Sequence, residues 1–269
     1  MKCEFNNKLE AIYGINYGLN RSQNIIKQAE NEQEQPFFDE IYRIFLSKVP
    51  DELSNEVRRL GDYHRVAEYV LDPQNQLPDL SAFDDFYLKN SELESKIISD
   101  IQSSENLQRL KLDELKEFLG IDSASDINVI LSMFINEGFG VFNGNSNIIL
   151  GVQYNPELSK YDISPKIASE IFRDLSFPYV QMLMKREKIS VPHGNEEYAD
   201  ELLARVLEIV FASRVFGDEY IEPALQEQDK HNLIQTRIFL SSYLENKDKI
   251  TNLQDYVDLL LANELLAKV

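Results

Sequence analysis

A chain of 269 residues, 43% hydrophobic and holding 15 Phe and 13 Tyr, can bury a sizeable core in one compact unit or two intimately packed lobes, and is too apolar for general disorder. Its 46 acidic against 27 basic residues give a formal net charge of -19, which repels phosphate backbones and anionic membranes, so neither is an expected partner. Cys3 is the single cysteine, which excludes an intramolecular disulfide and a thiolate zinc cluster.

The opening MKCEFNNKLEAIYG lacks the apolar stretch of a secretory signal, and no run approaches the ~18 apolar residues of a membrane span. A reducing bacterial cytoplasm is the expected location, unless a signal has been removed ahead of Cys3.

Residues 4–20 open with a short extended piece and continue with Leu9, Ile12, Tyr13, Asn16 and Leu19 at helical spacing, weakened by Gly14 and Gly18. Gln23 to Gln35 reads as a solvated connector. Phe37, Ile41, Ile44, Phe45 and Val49 predict an amphipathic helix that Pro50 ends. Asp51 to Leu71 reads as two helical pieces broken near Gly61, the second holding His64, a surface or packed histidine with no other ligand type nearby. Pro73 and Pro78 bound a loop; Ala82 to Leu88, Leu93 to Ile101 and Leu107 to Leu119 follow as helices, the last closed by Gly120.

From Asp126 to Tyr154 the pattern changes. INVILSMFI, GVF and NIILGVQY are β-branched or run apolar, and NGNSN has the chemistry of a turn, so a hairpin is predicted. Its GFG lacks the glycine spacing of a phosphate loop. Beyond it, helices are expected at Ser164 to Pro178, Glu196 to Phe211, Glu219 to Asp229 and Leu233 to Leu244. A last helix is capped by Thr251 and striped by Leu253, Tyr256, Val257, Leu260, Leu261 and Leu265. The fold class is α+β, mainly α-helical: a helical lobe over residues 1–125 and a core with C-terminal helices over 126–269, or both as one compact domain.

The segment from Ser164 to Gly217 carries the chemistry. Ser164 and Pro165 form a favourable helix start, and Ile167, Ala168, Ile171, Phe172 and Leu175 form its apolar stripe. On this helix Ser169, Glu170 and Arg173 occupy the places of H, E and H in an H-E-x-x-H motif, where residues four apart share a face and grip one zinc. A hydroxyl and a guanidinium replace the imidazoles here, and arginine has no lone pair to give a metal.

The string SEIFRDLSFP resembles the H-E-F-x-H-x-F-x-N-P helix of a family of bacterial proteins predicted to be zincin-like (gluzincin-type) metallopeptidases, matching at Glu170, Phe177 and Pro178. FINEGFGVFNGNSNIILGVQY resembles that family's hairpin before the active-site helix. EEYADELLARVLEIVF resembles its following helix, with Glu201 at the position of the third metal ligand. GDEYIEPALQEQDKHNL and YLENKDKITNLQDYVDLL resemble its C-terminal helices. The resemblance implies a zincin-like core with a small sheet packed on the Ser164 helix, and zinc in active relatives. It also implies an edge strand from Asn147 to Tyr154, beside which a groove would take a peptide or protein partner.

With the histidines gone, no cofactor is expected, and Ser169, Glu170, Arg173 and Glu201 form a vestigial site in a catalytically inactive homologue kept for binding or scaffolding. Arg173 is expected to enter the vacated metal position and bridge Glu170 and Glu201; the alternative is that Glu201 and Arg205 form only an exposed pair on one helix. Two other readings stay open: an active hydrolase with an atypical metal set of Glu170, His193 and Glu201, and a structural helical protein. Glycoside chemistry by Glu170 and Glu201 depends on a separation that sequence does not give.

Overall fold

The computed structural model describes residues 2–20, 34–121, 127–135, 138–142, 146–152, 155–189, 196–230 and 233–266. In chain order they form strand β1 (Lys2–Phe5) and helices α1 (Asn7–Asn20), α2 (Gln35–Lys48), α3 (Asp51–Leu60), α4 (Tyr63–Leu71), α5 (Asp84–Gln102), α6 (Glu105–Arg109) and α7 (Leu112–Leu119). Strands β2 (Ile127–Ser132), β3 (Gly138–Phe142) and β4 (Ser146–Gly151) follow, then helices α8 (Pro165–Arg186), α9 (Glu196–Phe216), α10 (Ile221–Lys230), α11 (Thr236–Asn246) and α12 (Leu253–Ala262). The protein is mainly helical with one small mixed sheet. Among the described residues no helix is long and apolar enough to cross a membrane. Two compact units divide the chain discontinuously: residues 1–104 with 126–162, and residues 105–125 with 163–269.

In the first unit the sheet runs β1-β2-β4-β3, with β1, β2 and β4 parallel and β3 antiparallel to β4. Cys3 stands opposite Val129, and Val129 opposite Ile148. The expected hairpin is therefore the β3–β4 pair; residues 143–145 of its turn, and 153–154 at the end of the predicted strand, lie outside the described residues. The expectation of an edge strand starting at Asn147 is corrected: β4 lies inside the sheet, flanked by β2 and β3. Ile148, Ile149 and Leu150 are all fully buried, so both faces of β4 are covered, as its unbroken apolar run requires. The edges are β1 and β3.

Helix α1 is buried from Leu9 to Gly18. Its glycines weaken the helix but allow α2 to come close: a Cβ on Gly18 would stand 2.3 Å from Cγ of Phe45, and one on Gly14 3.3 Å from Ile41. Tyr17, Phe37, Phe38, Phe86 and Phe134 form the aromatic core, with ring centroids 5.0 Å apart for Tyr17–Phe38 and 5.2 Å for Phe37–Phe86. The buried Glu10 carboxylate accepts from the backbone N–H of Met133 at 3.1 Å. The predicted break between two helices near residue 90 is absent, because α5 runs unbroken: Asn90 turns its amide back onto the Phe86 carbonyl at 2.8 Å instead of leaving the helix. His64 is half exposed, 3.6 Å from Glu68.

In the second unit, Leu107 to Leu119 is two short helices rather than one, hinged at a turn where the Leu110 N–H meets the Leu107 carbonyl at 3.2 Å. Gly120 closes α7 in the left-handed conformation, as expected (φ 71°). Ser164 caps α8, its Oγ accepting from the Ile167 N–H at 3.2 Å. Of the two effects expected of Pro178, to stop or to kink this helix, the stop does not occur. Helix α8 continues to Arg186 because Val180, Leu183 and Met184 beyond the proline are buried, which offsets the ~3 kcal/mol that an interior proline costs. The cap of α12 is Asn252 rather than Thr251. Asn252 Oδ1 accepts from the Asp255 N–H at 2.9 Å, while Thr251 donates its backbone N–H back to the Asp255 carboxylate, completing a reciprocal cap. Helix α9 is buried between Ala199 and Ala212 except along the part-exposed Glu201 and Arg205, and packs against α8, α10 and α11.

Candidate functional site

Helices α8 and α9 are antiparallel neighbours. Gln181 near the end of α8 hydrogen-bonds to Asp200 near the start of α9, and Ser169 near the start of α8 meets Glu208 farther along α9. Phe172 and Phe211 seal the same interface with ring centroids 5.9 Å apart. Helical periodicity places Ser169 with Arg173, Glu170 with Asp174, and Glu201 with Arg205 and Glu208, in three short rows. These rows meet as a polar cluster at the contact of the two helices; Ser169, Glu170, Asp174 and Glu208 are all buried.

Each row has its own contacts. Ser169 Oγ donates to Glu208 Oε1 at 3.1 Å. The Tyr220 hydroxyl hydrogen-bonds to Ser169 Oγ and also to Glu208, so the two hydroxyls and the carboxylate form one connected group. Arg205 donates from Nε to Glu201 at 2.7 Å and from NH1 to Glu208 at 3.0 Å. Arg173 donates from Nε and NH2 to one oxygen of Asp174, at 2.8 and 2.6 Å. The second Asp174 oxygen is buried with no hydrogen-bond partner among the described residues.

Four carboxylates and two guanidiniums share this cluster. Burial opposes the charge of Arg173, but Asp174, Glu208 and Glu201 outweigh it and hold the guanidinium more firmly protonated than usual. Burial pushes the Asp174 carboxyl up to about 6; Arg173 pulls it down and Glu208 pushes it further up. The Tyr220 phenol is raised by burial and by Glu208, which keeps it a donor.

Zinc fits these residues poorly. The Arg173 guanidinium has no lone pair and is salt-bridged, and the Ser169 hydroxyl is engaged by Glu208 and Tyr220. Among the described residues no three His, Cys, Asp or Glu side chains are grouped so as to hold a metal ion.

The predicted site residues Ser169, Glu170, Arg173 and Glu201 lie on the two packed helices. His193 of the alternative metal set, and His231, lie outside the described residues. Arg173 salt-bridges Asp174 on its own helix and feels the charge of Glu208 and Glu201 on α9, while Arg205 joins Glu201 to Glu208 along α9. This pair is no exposed one: the Arg205 side chain is 18% exposed. Asp174, Glu208 and Tyr220 were absent from the predicted set. Glu208 has a sequence signal, an acid inside the apolar run VLEIVFA on the same stripe as Glu201 and Arg205. Asp174 has none, since adjacent helical residues do not normally face one another.

Comparison of the chain with protein-family models, with curated proteins and with solved structures gives no match.

Proposed function

We propose that this chain is a catalytically inactive homologue of zincin-like metallopeptidases that serves in binding or scaffolding, with a buried polar cluster clamping α8 to α9 through the Ser169–Glu208 hydrogen bond where a peptidase would hold its metal. The observation that carries this reading is the occupation of both histidine positions: Ser169 is tied to Glu208 and Tyr220, and Arg173 is salt-bridged to Asp174. The arrangement supports a clamp better than a catalyst. Ser169 beside a carboxylate has the makings of an activated nucleophile, but it is fully buried and no substrate atom can reach it.

The test is metal content after expression with added zinc, measured by native mass spectrometry and by inductively coupled plasma analysis. Metal-free protein is expected. Zinc retained at one per chain through dialysis, and lost on Glu170→Gln, would refute the proposal.

A further inference from the structure

The second unit carries a cavity of about 590 Å³ lined by Gln108, Arg109 and Lys111 around α6, Glu114 on α7, Phe172 on α8, and Phe211, Arg214 and Val215 on α9. Its size falls within the range of small-molecule sites. Its charge is unusual for an acidic chain: three cationic groups against one carboxylate. Of the other cavities, one of about 460 Å³ has Arg186 alone, one pairs Arg237 with Glu245, and the two in the first unit hold Lys8 against two or three aspartates.

The Arg214 guanidinium lies 4.6 Å from the centroid of the Phe211 ring, donates to the Tyr243 hydroxyl at 3.1 Å, and stands 3.6 Å from Glu114. Three neighbours thus fix it before any ligand arrives, while its side chain remains 46% exposed. Arg109 is tethered only to Glu105 at 3.5 Å, on the solvent side, and Lys111 is exposed. Phe172 and Phe211, packed on each other and buried, close the inner wall of the cavity.

We propose that this cavity binds a small organic anion, its carboxylate or phosphate held by Arg214, Lys111 and Arg109. The site is independent of the Ser169 to Glu208 cluster and of the proposed descent from a peptidase. Arginine offers a bidentate fork to either head group, and lysine adds a point charge.

The experiment is calorimetric titration of the full chain with 2-naphthoate, 2-naphthyl phosphate and the neutral 2-naphthalenemethanol. Saturable 1:1 binding of one or both acids is expected, and the stronger of the two identifies the head group. Binding should weaken at least about tenfold in Lys111→Glu and should fall with added salt, whereas the alcohol should bind feebly and independently of salt. Lys111 is exposed, so this variant should fold; Arg109→Gln, read by the same titration, is the second variant. The proposal is overturned if neither acid saturates, if the alcohol binds as well as the acids, or if both folded variants bind like the parent.

Discussion

Replacing Arg173 by alanine tests the clamp at its most committed point. The side chain is 11% exposed, and its guanidinium supplies two hydrogen bonds to Asp174, which is 3% exposed and has its other oxygen already without a partner. Alanine leaves that carboxylate buried with neither charge nor donor opposite it, beside Glu208. Breaking a buried pair from one side costs about 3–5 kcal/mol. For a chain of this size, that is a fall in melting temperature on the order of 10 °C. The cost should itself depend on pH. Without Arg173, the Asp174 carboxyl rises beyond the value of about 6 it has in the parent, so the variant must carry a proton that the parent does not need at neutral pH. The destabilisation should be larger at pH 8 than at pH 5. Urea unfolding followed by far-ultraviolet circular dichroism at both pH values measures this, and hydrogen exchange on α8 and α9 amides locates it. A loss below about 1 kcal/mol at both pH values, the range of a surface ion pair, would refute the reasoning.

The parent protein should be more resistant to urea at pH 5 than at pH 8. Burial pushes Asp174 and Asp200 up to about 6 and Glu94 up to about 7, so each binds its proton more tightly folded than unfolded. Its contribution is complete below the ordinary carboxylate range and is lost as pH rises through 6 to 7. Glu94→Gln should flatten that decline, and a midpoint that rises with pH would contradict it. Gly18→Ala should destabilise the first unit by about 1–3 kcal/mol, despite the better helix propensity of alanine, because its Cβ would enter the root of the Phe45 ring; a stabilised variant in the same melt would sink the argument. Tyr220→Phe should cost about 1 kcal/mol by removing the hydroxyl bonded to Ser169 and Glu208, and an unchanged midpoint would mean that this hydroxyl is not held by them.

Features set by neighbours in the chain are legible in the sequence. Ser164 before Pro165 marks the start of α8, and Gly120 marks the end of α7, because caps depend on a few consecutive residues. Pro178 misleads because its local cost is met by the burial of Val180, Leu183 and Met184, which only packing reveals. The place of β4 is half legible: Ile148, Ile149 and Leu150 announce a strand covered on both faces, but its parallel pairing with β2 on the side away from the hairpin has no turn or spacing to announce it. In the candidate site, helical spacing supplies the Glu201–Arg205–Glu208 stripe. The turn of Arg173 toward its immediate successor lies beyond spacing rules, since it follows from the lack of water around Asp174.

Strand β1 joins the sheet only through β2, with Cys3 opposite Val129. On a ribosome, Lys2–Phe5 must wait for Asn128–Leu131 to be translated before they find their partner, and closing so long a loop is slow. Until then the Cys3 thiol keeps an ordinary reactivity; in the finished sheet it is buried, and its pKa is pushed up to about 12. A thiol-alkylating pulse applied to nascent chains of increasing length would therefore time the moment at which the sheet closes.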